Sequence, residues 1–167
     1  MASSTKPEAI ISIMRKNFDR KISQIPQISA QGETSNNHSL KDVIIMASIL
    51  ELEASTTESR GTISGILWKR LDLGMPLQVD STFFYINGKN TYELTVKDLK
   101  INSPYNTYLH TGLPPTPVDN SGTDSIMAAL SPISTNYLYY LSSKDGTIHY
   151  AKTLDEHRLN IARYLNK

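Results

Sequence analysis

Residues 39–80 read SLKDVIIMASILELEASTTESRGTISGILWKRLDLGMPLQVD, and the way this run divides into elements decides the fold. Ser39 with Asp42 is a capping-box-like start: a hydroxyl can accept from a backbone N–H, and a carboxylate stands in the first turn. Val43, Ile44, Ile45, Met46, Ala47, Ile49 and Leu50 follow and are apolar nearly all round, the pattern of a helix inside a core. That helix runs into Glu51, Leu52 and Glu53. An interior helix therefore carries carboxylates to its C-terminal end, where the dipole disfavours negative charge. Dipole and partial burial both raise a carboxyl pKa, as a general acid working near neutral pH requires. Residues two apart on a helix point about 200° apart, so Glu51 and Glu53 cannot share a face and do not form a carboxylate dyad. Periodicity does not say which of them faces a site. On these residues alone, two exposed carboxylates at a frayed helix end are the commoner case.

The remainder of the stretch holds a second expected helix, Thr57 to Leu73, with Ile63, Ile66, Leu67 and Leu71 on one side and Arg60, Lys69 and Arg70 on the other; Gly74 is its stop. From Met75 to Tyr85, Leu77, Val79 and Phe83 alternate with Gln78, Asp80 and Thr82. That period of two predicts a strand with one polar face.

Upstream, Ile10, Ile11, Met14, Phe18, Ile22 and Ile25 recur at spacings of three and four, predicting an amphipathic helix from Lys6 to Ile25, with Pro7 in its first turn and Pro26 closing it. Ser29 to His38 reads as a loop, and Met1 to Thr5 as a vector-derived or trimmed start. Downstream, Asn87-Gly88 marks a turn and Thr95 to Leu99 a short helical turn. Ser103 to Val118 interleaves Pro104, Pro114, Pro115 and Pro117 with Tyr105 and Tyr108, a composition that fits either a sugar-binding wall or a structural loop. Asp124 to Ala129 predicts a short helix. Tyr137 to Ser142 and Thr147 to Ala151 predict a hairpin around Lys144-Asp145-Gly146, and Leu154 to Leu165 a closing helix with Leu154, Ile161, Tyr164 and Leu165 inward.

Composition removes several function classes. Seventeen basic and sixteen acidic residues give a formal charge of +1 over 167 residues, so no field attracts nucleic acid. The absence of cysteine removes disulfides, thiolate zinc sites and thiol nucleophiles. There is no membrane-spanning run and no signal-peptide core, which predicts a soluble chain. No phosphate loop or Gly-x-Ser-x-Gly elbow is found, and His38, His110, His149 and His157 are dispersed, so neither metal nor cofactor is expected.

The order of motifs is more specific than any one of them. Ala47 to Ala54 with its Glu-x-Glu, Arg60, Arg70-Leu71, Gly74-Met75, Leu77-Gln78-Val79-Asp80-Ser81-Thr82, Tyr105-Asn106-Thr107-Tyr108, Gly112-Leu113-Pro114-Pro115 and Tyr137-Leu138-Tyr139 resemble the endolytic murein transglycosylase family, also called MltG or YceG-like. The resemblance covers about Lys41 to Leu165. It implies an α+β fold, with helices packed around a small, mainly antiparallel sheet. It divides the chain into an N-terminal helix and linker, residues 1–38, packing on a catalytic domain, residues 39–167. The implied activity is a lytic transglycosylase that cuts peptidoglycan strands internally and leaves 1,6-anhydro ends.

Carried onto this sequence, the resemblance makes Glu53 the catalytic acid, with Glu51, Arg60 and Arg70 in supporting roles. Gln78, Asp80, Thr82, Tyr105, Asn106, Thr107, Tyr108, Leu113 and Pro114 become the substrate-binding residues. Peptidoglycan strands are the implied partner, with cell-wall synthases as further candidates and the extracytoplasmic membrane face as the location. Family members usually carry an N-terminal membrane anchor and a small LysM-like subdomain, neither of which is apparent here. Three positions depart from the family pattern: Leu52 in place of Lys, Lys69 in place of Asn, and Ser81 in place of Pro. Two other functions fit parts of the same pattern, a muramidase using Asp80 as a second carboxylate and a glycan-binding module without activity.

Overall fold

The computed structural model describes residues 6–29, 32, 34 and 38–165. The expected start Met1–Thr5 and positions 30, 31, 33 and 35–37 of the expected loop lie outside the described residues. The chain divides into two compact units, residues 1–40 and 41–167.

In the first unit, helix α1 spans Pro7–Ile22, opened by proline at its first turn and closed by Ser23, whose N–H donates to the Asp19 carbonyl. The expected periodicity is present, yet Ile10, Ile11, Met14 and Phe18 are exposed, while Ile22, Ile25 and Ile28 are buried. An isolated bridge joins Ile28 and Thr34.

The second unit is built around helix α2, Leu40–Glu53. Val43, Ile45, Met46, Ala47, Ile49 and Leu50 are at most 1% exposed, so the helix lies inside the core, as its all-round apolar sequence dictates. Ser48 is the polar exception and is fully satisfied. Its Oγ donates to the Ile45 carbonyl at 2.7 Å and accepts from the Val118 N–H at 3.0 Å, pinning the end of the proline-rich segment to α2. Helix α3, Thr57–Asp72, starts at Thr56, whose side chain accepts from the Ser59 N–H. Its Ile63, Ile66 and Leu67 complete the core.

α3 packs on helix α5, Thr123–Leu130, and the Trp68 indole N–H donates to the Ala129 carbonyl at 3.0 Å. Gly61 and Gly65 let the segment after α5 lie on the backbone of α3. The Ile133 N–H donates to the Gly61 carbonyl at 3.0 Å, and a Cβ at Gly65 would stand 2.0 Å from the Ile133 carbonyl oxygen. Strands β1, Tyr139–Ser142, and β2, Ile148–Ala151, pair antiparallel from Tyr139↔Ala151 to Ser142↔Ile148. Helix α6, Leu154–Tyr164, opens with a Thr153/Glu156 capping box and packs on both strands.

These elements make the expected α+β fold, but the strand expected over Met75–Tyr85 does not form. Residues 75–79 are irregular, and helix α4, Thr82–Asn87, follows. Leu77 and Val79 are buried and Gln78 is exposed, which produces the period of two. Gln78, however, sits at φ +51°, outside strand geometry. In place of a strand ladder, the Gln78 N–H donates to the Thr107 carbonyl and the Val79 N–H to Thr107 Oγ1, both at 3.0 Å. Two short 3-10 turns, Thr91–Glu93 and Asp98–Lys100, come next; the second realises the turn expected near Thr95. Gly88, at φ +76°, is the C-cap of α4 and supplies the expected Asn87-Gly88 turn. Among the described residues no helix is long and apolar enough to cross a membrane.

Candidate active site

α2 ends at Glu53, and the hairpin crosses this end. The meeting point opens onto a groove of about 800 Å³ lined by Glu53, Arg70, Gln78, Asp80, Ser81, Tyr108, Tyr139 and Tyr140, with Phe84 and Tyr92 at its rim and Leu154, Ile161 and Leu165 of the α6 region on one wall. The closing helix thus turns part of its apolar face to the groove. Its Tyr164 stacks on His149, ring centroids 3.5 Å apart.

Glu53 is partly buried, and burial pushes its carboxyl above the ordinary range, with the nearby Asp80 adding to the rise. The Tyr140 hydroxyl donates to Glu53 Oε2 at 2.8 Å, which fixes the carboxyl and favours its ionised form in part. Ser81 acts in the same direction through its hydroxyl and N–H, although the buried hydroxyl closes no hydrogen bond of ordinary geometry. Desolvation outweighs both. The Tyr140 phenol is itself pushed well up by burial and by Glu53, so it remains a donor.

Glu51 points elsewhere, as helical geometry requires. Its Oε2 accepts from the Gly122 N–H at 2.8 Å and from Ser125 Oγ at 2.7 Å, and its Oε1 lies 3.7 Å from Arg60 Nη2. Gly122 is the N-cap of α5, so Glu51 serves as a carboxylate at that helix start, and these donors hold its pKa below the ordinary value. Glu51 thereby ties α2 to α5 and to Arg60 of α3.

Arg70 is 4% exposed. Its Nη2 donates to Gln78 Oε1 at 2.6 Å, and its guanidinium lies 5.5 Å from the centroid of the Tyr139 ring, which also stacks with His157. The left-handed backbone of Gln78 sits at this junction, a strained residue beside a groove. The Tyr108 hydroxyl donates to Asp80 Oδ1; burial raises the Asp80 carboxyl while Tyr108 and Thr91 pull it back.

Of the residues expected to bind substrate, Gln78, Asp80 and Tyr108 line the groove together with Glu53 and Arg70. The others stand apart from it. Thr82 is buried and donates to the Val79 carbonyl. Asn106 is buried, with its amide N–H groups on the Leu99 and Ile101 carbonyls and its oxygen on the Tyr108 N–H. Thr107 holds the Gln78–Val79 backbone. Tyr105 packs at a tilt against Tyr85, ring centroids 4.6 Å apart, and bonds Thr116; Leu113 and Pro114 do not line the groove. The proline-rich segment is therefore the support that presents Tyr108.

Sequence reasoning missed Tyr140, Tyr92, Phe84 and His157. The three tyrosines Tyr137, Tyr139 and Tyr140 before the hairpin turn were the one available signal. Nothing local says which of them reaches an acid 87 positions upstream.

Comparison with known proteins agrees with this architecture. The family model described as the YceG-like family matches residues 1–163. An endolytic murein transglycosylase of Bacillus subtilis (strain 168) is 42% identical over 131 residues, covering 78% of this chain and 36% of that protein. One of Streptococcus pneumoniae (serotype 2, strain D39) is 31% identical over 169 residues, covering 98% and 30%. The crystal structure of a YceG-like protein from Listeria monocytogenes superposes with a TM-score of 0.84 at 38% identity, over 95% of this chain and 50% of that one. The chain thus spans about a third of the length of the curated relatives it matches.

Proposed function

The chain belongs to the YceG-like family, and from that premise we propose that it cleaves peptidoglycan strands internally as a lytic transglycosylase, with Glu53 as its acid and base. The observation that carries this reading is the setting of Glu53: a carboxyl whose pKa burial raises, oriented by the Tyr140 hydroxyl at 2.8 Å, in the lining of a groove of about 800 Å³.

The neutral Glu53 donates its proton to the glycosidic oxygen between N-acetylmuramic acid and the next sugar as that bond breaks. The oxocarbenium-like centre is relieved by the substrate's own 2-acetamido group, in the place a second carboxylate would take in a two-carboxylate glycosidase. Glu53, now ionised, accepts the proton of the 6-hydroxyl as that oxygen closes on the anomeric carbon. Tyr140 supports both halves of the cycle, because its donated hydrogen bond steadies the carboxylate between them. Arg70, held by Gln78, and Asp80, held by Tyr108, present polar groups to the sugar's acetamido and hydroxyl substituents. Extracytoplasmic work on the cell wall and association with cell-wall synthases follow from this reading.

Digestion of purified peptidoglycan with the wild type and with Glu53→Gln, followed by mass spectrometry, tests it. Anhydro ends from the wild type, and a loss of at least about 10²-fold in the variant, are expected. Reducing ends would instead assign a hydrolase, and no products from the wild type a binding module. Undiminished cleavage by a folded Gln variant would remove Glu53 from its role.

A further inference from the structure

A second cavity, of about 420 Å³, adjoins the groove at Glu53. Leu52, Glu53, Tyr92, Ser142 and Lys144 line both this cavity and the main groove. Two hollows that share Glu53 and four further lining residues meet at that carboxyl. The arms differ in chemistry. Tyr139, Phe84, Leu154 and Ile161 give the main arm apolar walls, whereas Ser55, Arg60, Ser142 and Ser143 make the second arm polar.

The charges at the junction are unequal. Arg60 is offset by Glu51 at 3.7 Å, and Lys89 in the main arm by Asp98 at 2.9 Å. Lys144, exposed at the tip of the hairpin, enters no ion pair among the described residues. Its position is set by a rigid turn. Asp145 Oδ1 accepts from Ser143 Oγ at 2.7 Å and from the Thr147 N–H at 3.0 Å, and Gly146 supplies the required φ of +83°. The neighbouring carboxylate is thereby engaged within the turn, and Lys144 lines both hollows.

We propose that the second arm holds the strand on the far side of the scissile bond, and that Lys144 there binds a carboxylate carried by the strand. The inference rests on the glycan-cleaving reading above and adds to it a direction and a charge. An internally cut polymer continues beyond the acid on both sides, which a one-armed pocket does not permit. The carboxylate has two sources, the lactyl group of a muramic sugar without peptide and the acidic residues of a stem peptide.

Binding is measured with the protein in the Glu53→Gln background, so that strands stay intact, adding Lys144→Gln or Lys144→Arg. The ligands are a peptide-free strand, the same strand bearing stem peptides, and a chitin oligomer of equal length without carboxylates. Lys144→Gln should weaken a carboxylate-bearing strand about three- to fivefold, the range of an exposed ion pair. The loss should be absent with chitin and in Lys144→Arg, and should vanish near 1 M salt, where the Debye length is about 3 Å. Loss on the peptide-free strand assigns the lactyl carboxylate, and loss confined to the stem-bearing strand assigns the peptide. Ser55→Trp, filling the second arm, should weaken long strands and spare short ones. Equal affinities of the Gln and Arg variants for both acidic strands, or long strands indifferent to Ser55→Trp, overturn the inference. Failure of the Glu53→Gln parent to bind any strand would instead overturn the proposed function.

Discussion

Glu53 and Glu51 stand two residues apart on one helix and meet opposite environments. Donors from Gly122, Ser125 and Arg60 lower Glu51, while desolvation raises Glu53. The Tyr140 hydroxyl is the direct lever on the acid. It favours the carboxylate, so Tyr140→Phe should raise the Glu53 pKa further. A general acid is lost as pH rises through its pKa, so the alkaline limb of the kcat/KM profile should move to higher pH in this variant. Its kcat should also fall as the carboxyl loses its fixed orientation. A purely structural tyrosine would lower activity without moving the limb, and that profile separates the two. That a core helix ends in two carboxylates was legible in the sequence, because the helix is apolar all round and then ends in charge; the choice of Glu53 over Glu51 came from the resemblance and not from periodicity. Tyr140 was not legible, since a partner 87 residues away leaves no local periodicity.

At the scale of elements, one contact ties the helix of Glu53 to α5 and another seats the segment after α5 on α3. The first is Glu51 at the start of α5. Glu51→Ala removes a helix-start carboxylate and leaves the Gly122 N–H and Ser125 without it, a loss of about 0.5–2 kcal/mol in denaturant unfolding. The sign with pH follows from its lowered pKa: the contribution is present above the ordinary carboxylate range and lost as pH falls through the folded value, so wild type and variant should converge in acid. The second is Gly65, where a Cβ would stand 2.0 Å from the Ile133 carbonyl oxygen. Gly65→Ala must push the 131–135 segment off α3, at about 1–3 kcal/mol, read as a lower unfolding midpoint. Helices α2, α3, α5 and α6 and the hairpin were legible from period and caps. The segment 75–85 was not, because burial of Leu77 and Val79 imitates a strand and the positive φ of Gln78 has no sequence signal in a residue other than glycine. Composition left residues 103–118 open between a sugar-binding wall and a structural loop, and the resemblance named Asn106 and Thr107 for the substrate; in the fold both are buried and tie loops together.

Across the whole molecule the titrating groups divide by place. Asp98 and Asp145, each in a turn, are held at about 2 by hydroxyl and backbone donors, with Lys89 also acting on Asp98. Their contribution is present above about pH 4 and lost as pH falls towards 2. The groove carboxyls Glu53 and Asp80 are raised instead. A raised carboxyl binds its proton more tightly in the folded chain than in the unfolded one, so stability declines as pH climbs from the ordinary carboxylate range through the folded pKa. The scaffold thus gains from ionised carboxylates while the groove loses from them, the expected cost of keeping an acid protonated where it works. Replacing both groove carboxyls by neutral amides, Glu53→Gln with Asp80→Asn, should therefore abolish strand cleavage and leave Tm no lower than wild type. The gain should be absent near pH 4 and appear as pH rises above the ordinary carboxylate range. Thermal unfolding as a function of pH is the measurement. A Tm difference that stays constant with pH would mean that neither carboxyl titrates differently in the folded chain, and would remove the electrostatic basis for Glu53 as the proton donor.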